Sequence, residues 1–129
     1  MSVASLSEGA TVLVVEQEPR MRAAVTRALD LSGFTVVQAN STQDALTTLE
    51  ERSDVRVVVT DIDLADAVDG LAFTHEVHHR WPALGQVITS GQVRRLRPNE
   101  VPGDGIFMPR PLPMQAFLDA ISLAACHGR

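Results

Sequence analysis

Four acids fall within nine residues where a short β-branched run ends. Val57-Val58-Val59-Thr60 leads into Asp61, and Asp63, Asp66 and Asp69 follow. A carboxylate in such a place has two obvious chemistries. It can attack phosphorus and become an aspartyl phosphate, or it can serve as an oxygen ligand for a hard cation. A run apolar enough to be buried on both faces belongs inside a parallel sheet, and such sheets build their sites at the carboxyl ends of the strands. Other runs end comparably: Thr11–Val15 in Glu16-Gln17, Gln86–Thr89 in Ser90, and Ile106–Met108 in Pro109-Arg110. Taken singly, Ser90 reads as a helix cap, Arg110 as a surface residue, and the acids as a solvated turn. Ranged along one edge they offer two carboxylates, an amide, a hydroxyl and a cation. Carboxylates with a backbone carbonyl suit an octahedral magnesium ion. A hydroxyl and a cation suit phosphoryl oxygens. In phosphoryl transfer, positioning and charge neutralisation supply most of the catalysis.

The elements that must position these residues alternate. Strand one, Thr11–Val15, stops at Glu16-Gln17-Glu18-Pro19. Proline suits the first helical turn, and Glu18 suits the positive end of the helix dipole. Met21, Val25, Ala28 and Leu29 then recur at helical spacing, and Gly33 closes the helix. Strand two covers Phe34–Gln38. Ser41-Thr42-Gln43-Asp44 resembles a capping box ahead of a helix with Ala45, Leu46 and Leu49 inward. Strand three ends at Asp61. Asp69-Gly70 opens a third helix with Phe73, Val77 and Trp81 inward, closed at Trp81-Pro82. Strand four covers Gln86–Thr89. Residues 93–97 could make a turn or two of helix, but Pro98, Pro102 and Gly103-Asp104-Gly105 leave room for no more. Strand five, Ile106–Met108, precedes a last helix that starts at Pro113 and buries Phe117, Leu118, Ile121 and Ala125. Five alternating repeats with short connections predict right-handed βαβ units, a parallel sheet and helices on both faces.

The chain has 129 residues, 45% hydrophobic and 21% charged, with a net charge of −5. This is the size and balance of one globular domain. We expect a loose tail over residues 1–10, the domain over 11–126, and a short tail over 127–129. Negative charge argues against a nucleic-acid surface, and no apolar run is long enough to span a membrane. Residues 1–10 have neither the basic start nor the apolar core of a secretory signal. The lone Cys126 cannot form an internal disulfide and suits a reducing, cytoplasmic setting as a half-buried apolar residue. His75, His78 and His79 could pair on a metal, but a solvated helix face accounts for them better. Arg94, Arg95 and Arg97 read as a solvated basic turn.

The chain resembles the response-regulator receiver (CheY-like) family over about residues 10–126. Val-Leu-Val-Val-Glu-Gln-Glu-Pro at 12–19, the Asp61 strand with Asp69-Gly70, Ile88-Thr89-Ser90-Gly91 and Phe107-Met108-Pro109-Arg110-Pro111 carry the resemblance in order. It implies a flavodoxin-like three-layer sandwich with strand order 2-1-3-4-5, here with a short or irregular fourth helix. It implies Asp61 as phosphoacceptor. It also implies Mg²⁺ held by Glu16, Asp61 and the backbone carbonyl of Asp63, with Gln17 as a weak or water-mediated ligand. Ser90 would be the switch hydroxyl, Arg110 would occupy the lysine position, Phe107 would be the rotating aromatic, and Arg110-Pro111 would be the cis peptide.

Two departures stand out. Gln17 replaces an acid, which should weaken magnesium binding by about 1–2 kcal/mol. Arg110 replaces lysine with a planar, permanently charged fork that could grip phosphoryl oxygens or hold Asp61 in a standing ion pair. The expected function is a stand-alone receiver, a monomer or weak homodimer and not a turnover enzyme. It would take a phosphoryl group from a sensor histidine kinase or phosphotransfer protein and signal by binding an unnamed protein target. One rival is a pseudo-receiver that docks partners without phosphorylation. Another is a small phosphatase with Asp61 as nucleophile and Asp63 as acid.

Overall fold

The computed structural model describes residues 9–63, 70–92 and 95–127. Asp66, Asp69, Val93 and Arg94 lie outside the described residues, as do 1–8 and 128–129. Five strands, β1 (Thr11–Val15), β2 (Thr35–Ala39), β3 (Val55–Asp61), β4 (Gly85–Ser90) and β5 (Ile106–Pro109), form one sheet in the order β2-β1-β3-β4-β5. Every pairing is parallel. The helices are α1 (Pro19–Leu31), α2 (Thr42–Glu51), α3 (Gly70–Arg80) and α4 (Met114–His127). A single 3₁₀ turn, Pro98–Glu100, stands where a further helix was expected to be short or irregular. Among the described residues no helix is long and apolar enough to cross a membrane.

β1 is buried at every position because helices cover both faces of the sheet. Side chains alternate between the faces. Val12, Val14, Val57 and Val59 pack with Val25 and Leu29 of α1 and Phe117 and Ile121 of α4. Leu13, Val15 and Val58 pack with Ala45 and Leu49 of α2 and Phe73 and Val77 of α3. A register shift between Thr11 and Val12 puts Val55 on the second face although Val57 is on the first.

Local chemistry sets the ends of the elements. Glu18 caps α1, its carboxylate accepting the N–H groups of Arg20 and Met21, and these bonds hold its pKa below the ordinary value. Ser41 caps α2 by accepting the Asp44 N–H. Asp44 reaches back to the N–H of Asn40, one residue before the cap. Gly33 (φ 94°) closes α1, and the Phe34 N–H returns to the Leu29 carbonyl. Phe34 therefore belongs to the cap, and β2 starts one residue later than its sequence suggests. Gly85 is required by close packing: a Cβ there would lie 2.4 Å from the Ala124 carbonyl oxygen of α4.

The segment after β4 is tied down by α3. The His75 ring Nε2 lies 3.0 Å from the Glu100 carbonyl. Gly103 (φ 55°) lies against the His78 ring, where a Cβ would come within 2.6 Å. His75 and His79 are exposed, as a solvated helix face implies, and His75 and His78 in addition touch the segment after β4.

Candidate functional site

Strand register brings the expected residues together. Val15 pairs with Thr60, which sets Glu16 beside Asp61. Asp61 pairs with Thr89, and Ser90 with Pro109. Past the strand ends, the Ile62 N–H donates to the Thr89 carbonyl and the Arg110 N–H to the Ser90 carbonyl. Glu16, Asp61, Ser90 and Arg110 therefore share one edge of the sheet.

The site is dry. Glu16 is 3% exposed, Asp61 7% and Ser90 0%. The Arg110 guanidinium reaches both carboxylates. Nη2 donates to Glu16 Oε1, and Nη1 lies 3.8 Å from Asp61 Oδ2. That second contact is an ion pair longer than a hydrogen bond. Nη2 also lies 3.3 Å from Thr89 Oγ1. The remaining carboxylate oxygens meet the backbone: Glu16 Oε2 accepts the Glu18 N–H, and Asp61 Oδ1 accepts the Asp63 N–H. Arg22 fixes the turn by donating to the carbonyls of Glu16 and Gln17. Burial, aided by the neighbouring Glu16 carboxylate, pushes the Asp61 carboxyl up to about 6, against the opposing pull of the Asp63 N–H and Arg110. At pH 7 it is still mostly ionised.

Asp63 turns its side chain toward β4. Its carboxylate accepts the Ser90 hydroxyl at 2.7 Å and the Gly91 N–H at 2.6 Å. Ser90 Oγ in turn accepts the Gln92 N–H. The expected switch hydroxyl is thus engaged by Asp63. Gln17 is exposed at the rim. Phe107 is half-buried on β5 opposite Ile88, and the Arg110–Pro111 bond is cis. Spacing alone gave no sign of Thr89 or Arg22 as site residues, and it offered Asp63 as a backbone ligand or, in the phosphatase rival, as an acid, not as the partner of Ser90.

The expected magnesium donors can be tested against these contacts. Both Glu16 oxygens have donors, one of them the guanidinium, and one Asp61 oxygen accepts a backbone N–H. The guanidinium stands where a cation would bridge the two carboxylates. This arrangement does not fit an octahedral divalent ion, which needs several oxygens converging on one point.

The response regulator receiver domain family matches residues 12–99. The chain is 33% identical over 119 residues to Sensor kinase CckA of Brucella abortus, covering 90% of this chain and 12% of that protein. It is 37% identical over 82 residues to the Hydrogenase transcriptional regulatory protein HoxA of Cupriavidus necator, covering 64% of this chain and 16% of that one. The chain thus spans a small part of the length of both relatives. Among solved structures, a response regulator receiver protein from Sinorhizobium medicae superposes with a TM-score of 0.85 at 22% identity, covering 95% of this chain and 98% of that chain. A sensor protein from Polaromonas superposes with a TM-score of 0.82 at 19% identity, covering 92% and 98%. The sheet order, the strand-edge constellation and the family match agree: the chain belongs to the response regulator receiver domain family of two-component systems.

Proposed function

We propose that the chain works as a phosphoacceptor receiver. Asp61 would take a phosphoryl group from the phosphohistidine of a sensor histidine kinase or phosphotransfer protein. The observation that carries this is the placement of Asp61: a buried carboxylate at the carboxyl end of the central strand β3. One of its oxygens is fixed by the Asp63 N–H and the other faces a guanidinium. In the transfer, Asp61 Oδ2 attacks phosphorus, the P–N bond breaks, and the imidazole leaves with its electron pair and takes up a proton. Charge spreads over the phosphoryl oxygens. Arg110 is the neighbouring cation, and Thr89 Oγ1 lies beside it as a further donor. The Ser90 hydroxyl could join only by leaving Asp63, so loading would be coupled to the loop after β4. A donor has an apolar surface beside the site, a groove of about 200 Å³ lined by Met21, Ala24, Met114 and Phe117 among others.

The acyl phosphate is then a signal and not a turnover intermediate, and the chain acts by protein contact in the cytoplasm. Against phosphatase chemistry, the Asp63 carboxylate is engaged by the Ser90 hydroxyl and the Gly91 N–H, so it would have to leave both to protonate a leaving group. One observation favours the pseudo-receiver. Arg110 and the Asp63–Ser90 bond already engage the carboxylates and the switch hydroxyl without a phosphoryl group. Intact mass after incubation with acetyl phosphate separates the two. One added phosphoryl group, lost in Asp61→Asn, supports the phosphoacceptor. No adduct, with partner binding unchanged by Asp61→Asn, supports the phosphorylation-independent module.

A further inference from the structure

We propose that the Arg110 guanidinium is the resident counter-ion of this site, doing the charge-neutralising work of a divalent cation, so that the chemistry of Asp61 is independent of divalent metal. This rests on the phosphoacceptor reading above for its labelling arm, but not for its binding arm. Three observations carry it. First, one guanidinium spans two buried carboxylates through different nitrogens, Nη2 to Glu16 and Nη1 toward Asp61. A lysine ammonium is a point charge on a flexible stem, whereas arginine presents a rigid fork that can address both groups at once. Second, the fork is held in place. Thr89 Oγ1 lies against Nη2, and the Arg110 side chain is 18% exposed against 3% for Glu16 and 9% for Asp61. Against buried carboxylates a fixed cation acts at a lower dielectric than in water. Third, the Glu16 oxygens a metal would need are spent, one on the guanidinium and one on the Glu18 N–H. Gln17 supplies no carboxylate at the rim and Asp63 is engaged by Ser90 and Gly91, so the guanidinium meets two carboxylates, Glu16 and Asp61, and not three.

The binding arm is titration with Mn²⁺, followed by water-proton relaxation, on wild type, Arg110→Met and Arg110→Lys. Wild type is expected to show no binding that Asp61→Asn abolishes. Arg110→Met, which removes the guanidinium from both carboxylates, is expected to show Mn²⁺ binding that a second change, Asp61→Asn, abolishes, with Arg110→Lys binding more weakly than Arg110→Met. Asp61-dependent Mn²⁺ binding by the wild type, or no gain in a folded Arg110→Met, overturns the proposal. If Arg110→Met does not fold, the wild-type titration and Arg110→Lys still decide. The labelling arm is intact mass after acetyl phosphate, in Mg²⁺ or in EDTA. Equal labelling in both supports the proposal. Labelling in Mg²⁺ alone overturns it while leaving the phosphoacceptor function standing. No labelling in either refutes that function and leaves the Mn²⁺ titration to decide the counter-ion.

Discussion

Replacing Asp61 with asparagine should stabilise the protein at neutral pH, although it removes a charge from an ion pair. The carboxyl is raised from an ordinary 3.8 to about 6 because burial outweighs the help from Asp63 and Arg110. A raised carboxyl binds more protons in the folded state than in the unfolded one. Stability therefore falls as pH rises from about 4 to about 6, and stays at the lower level above that. The gap from 3.8 to about 6 is worth about 3 kcal/mol at about 1.4 kcal/mol per pH unit. Asparagine keeps an oxygen for the Asp63 N–H and pays no ionisation penalty. At pH 4 the variant should match the wild type, and at pH 7.5 it should be more stable by up to about 3 kcal/mol. The single tryptophan, Trp81, stacks under Arg80 at 4.4 Å and reports unfolding by fluorescence. In urea, with chelator present, a gain of that size moves the midpoint by about 1 M or more. A midpoint difference that stays constant between pH 4 and 7.5, or a variant less stable at pH 7.5, would refute the reasoning. It would show that Arg110 already repays the burial of the Asp61 charge.

Further outcomes can be measured on the same protein. Asp63→Ala should cost about 1–3 kcal/mol by leaving Ser90 and Gly91 without their charged acceptor, and it should speed amide exchange at Gly91 and Gln92; unchanged exchange would mean that Asp63 does not hold the loop. Gly85→Ala should lower stability by about 1–3 kcal/mol through overpacking against the Ala124 carbonyl, read as a drop in thermal midpoint. His75→Ala should leave global stability nearly unchanged but raise exchange at Glu100 and Val101 about three- to tenfold, as loss of one hydrogen bond implies; global destabilisation would instead make the histidine part of the core.

The inner strands β1, β3 and β4 were legible because they are buried on both faces and so read as continuous apolar runs, while the edge strands β2 and β5, only partly buried, were placed by the turns around them. The cores of α1 and α4 were legible from helical spacing. Boundaries drifted where one residue type serves two purposes. Phe34 looks like the first residue of β2 but closes α1 with its N–H, while Gly85 and Ser90 look like turns yet pair in the sheet. The site residues were legible because each terminates a strand and parallel register aligns the ends. Side-chain direction was not. Asp63 was expected to act through its backbone carbonyl, and nothing in its spacing from Asp61 shows that its carboxylate reaches Ser90 on the next strand. The histidines of α3 were equally opaque, since what they touch is a loop whose path depends on the glycine at 103.

Gln17 and Arg110 illustrate why residue types alone underdetermine a charged site. In sequence they are separate departures, one that weakens a metal site and one that alters a switch. In the folded protein they bear on one charge balance. Glu16 is buried and must have a counter-ion, and the guanidinium that supplies it comes from ninety-four residues away. A third acid at position 17 would leave that single cation facing three carboxylates. A divalent ion entering beside it would meet a positive charge already seated between its ligands. The altered pair is therefore better understood as one solution to neutralising Glu16 and Asp61 than as two defects in a metal site.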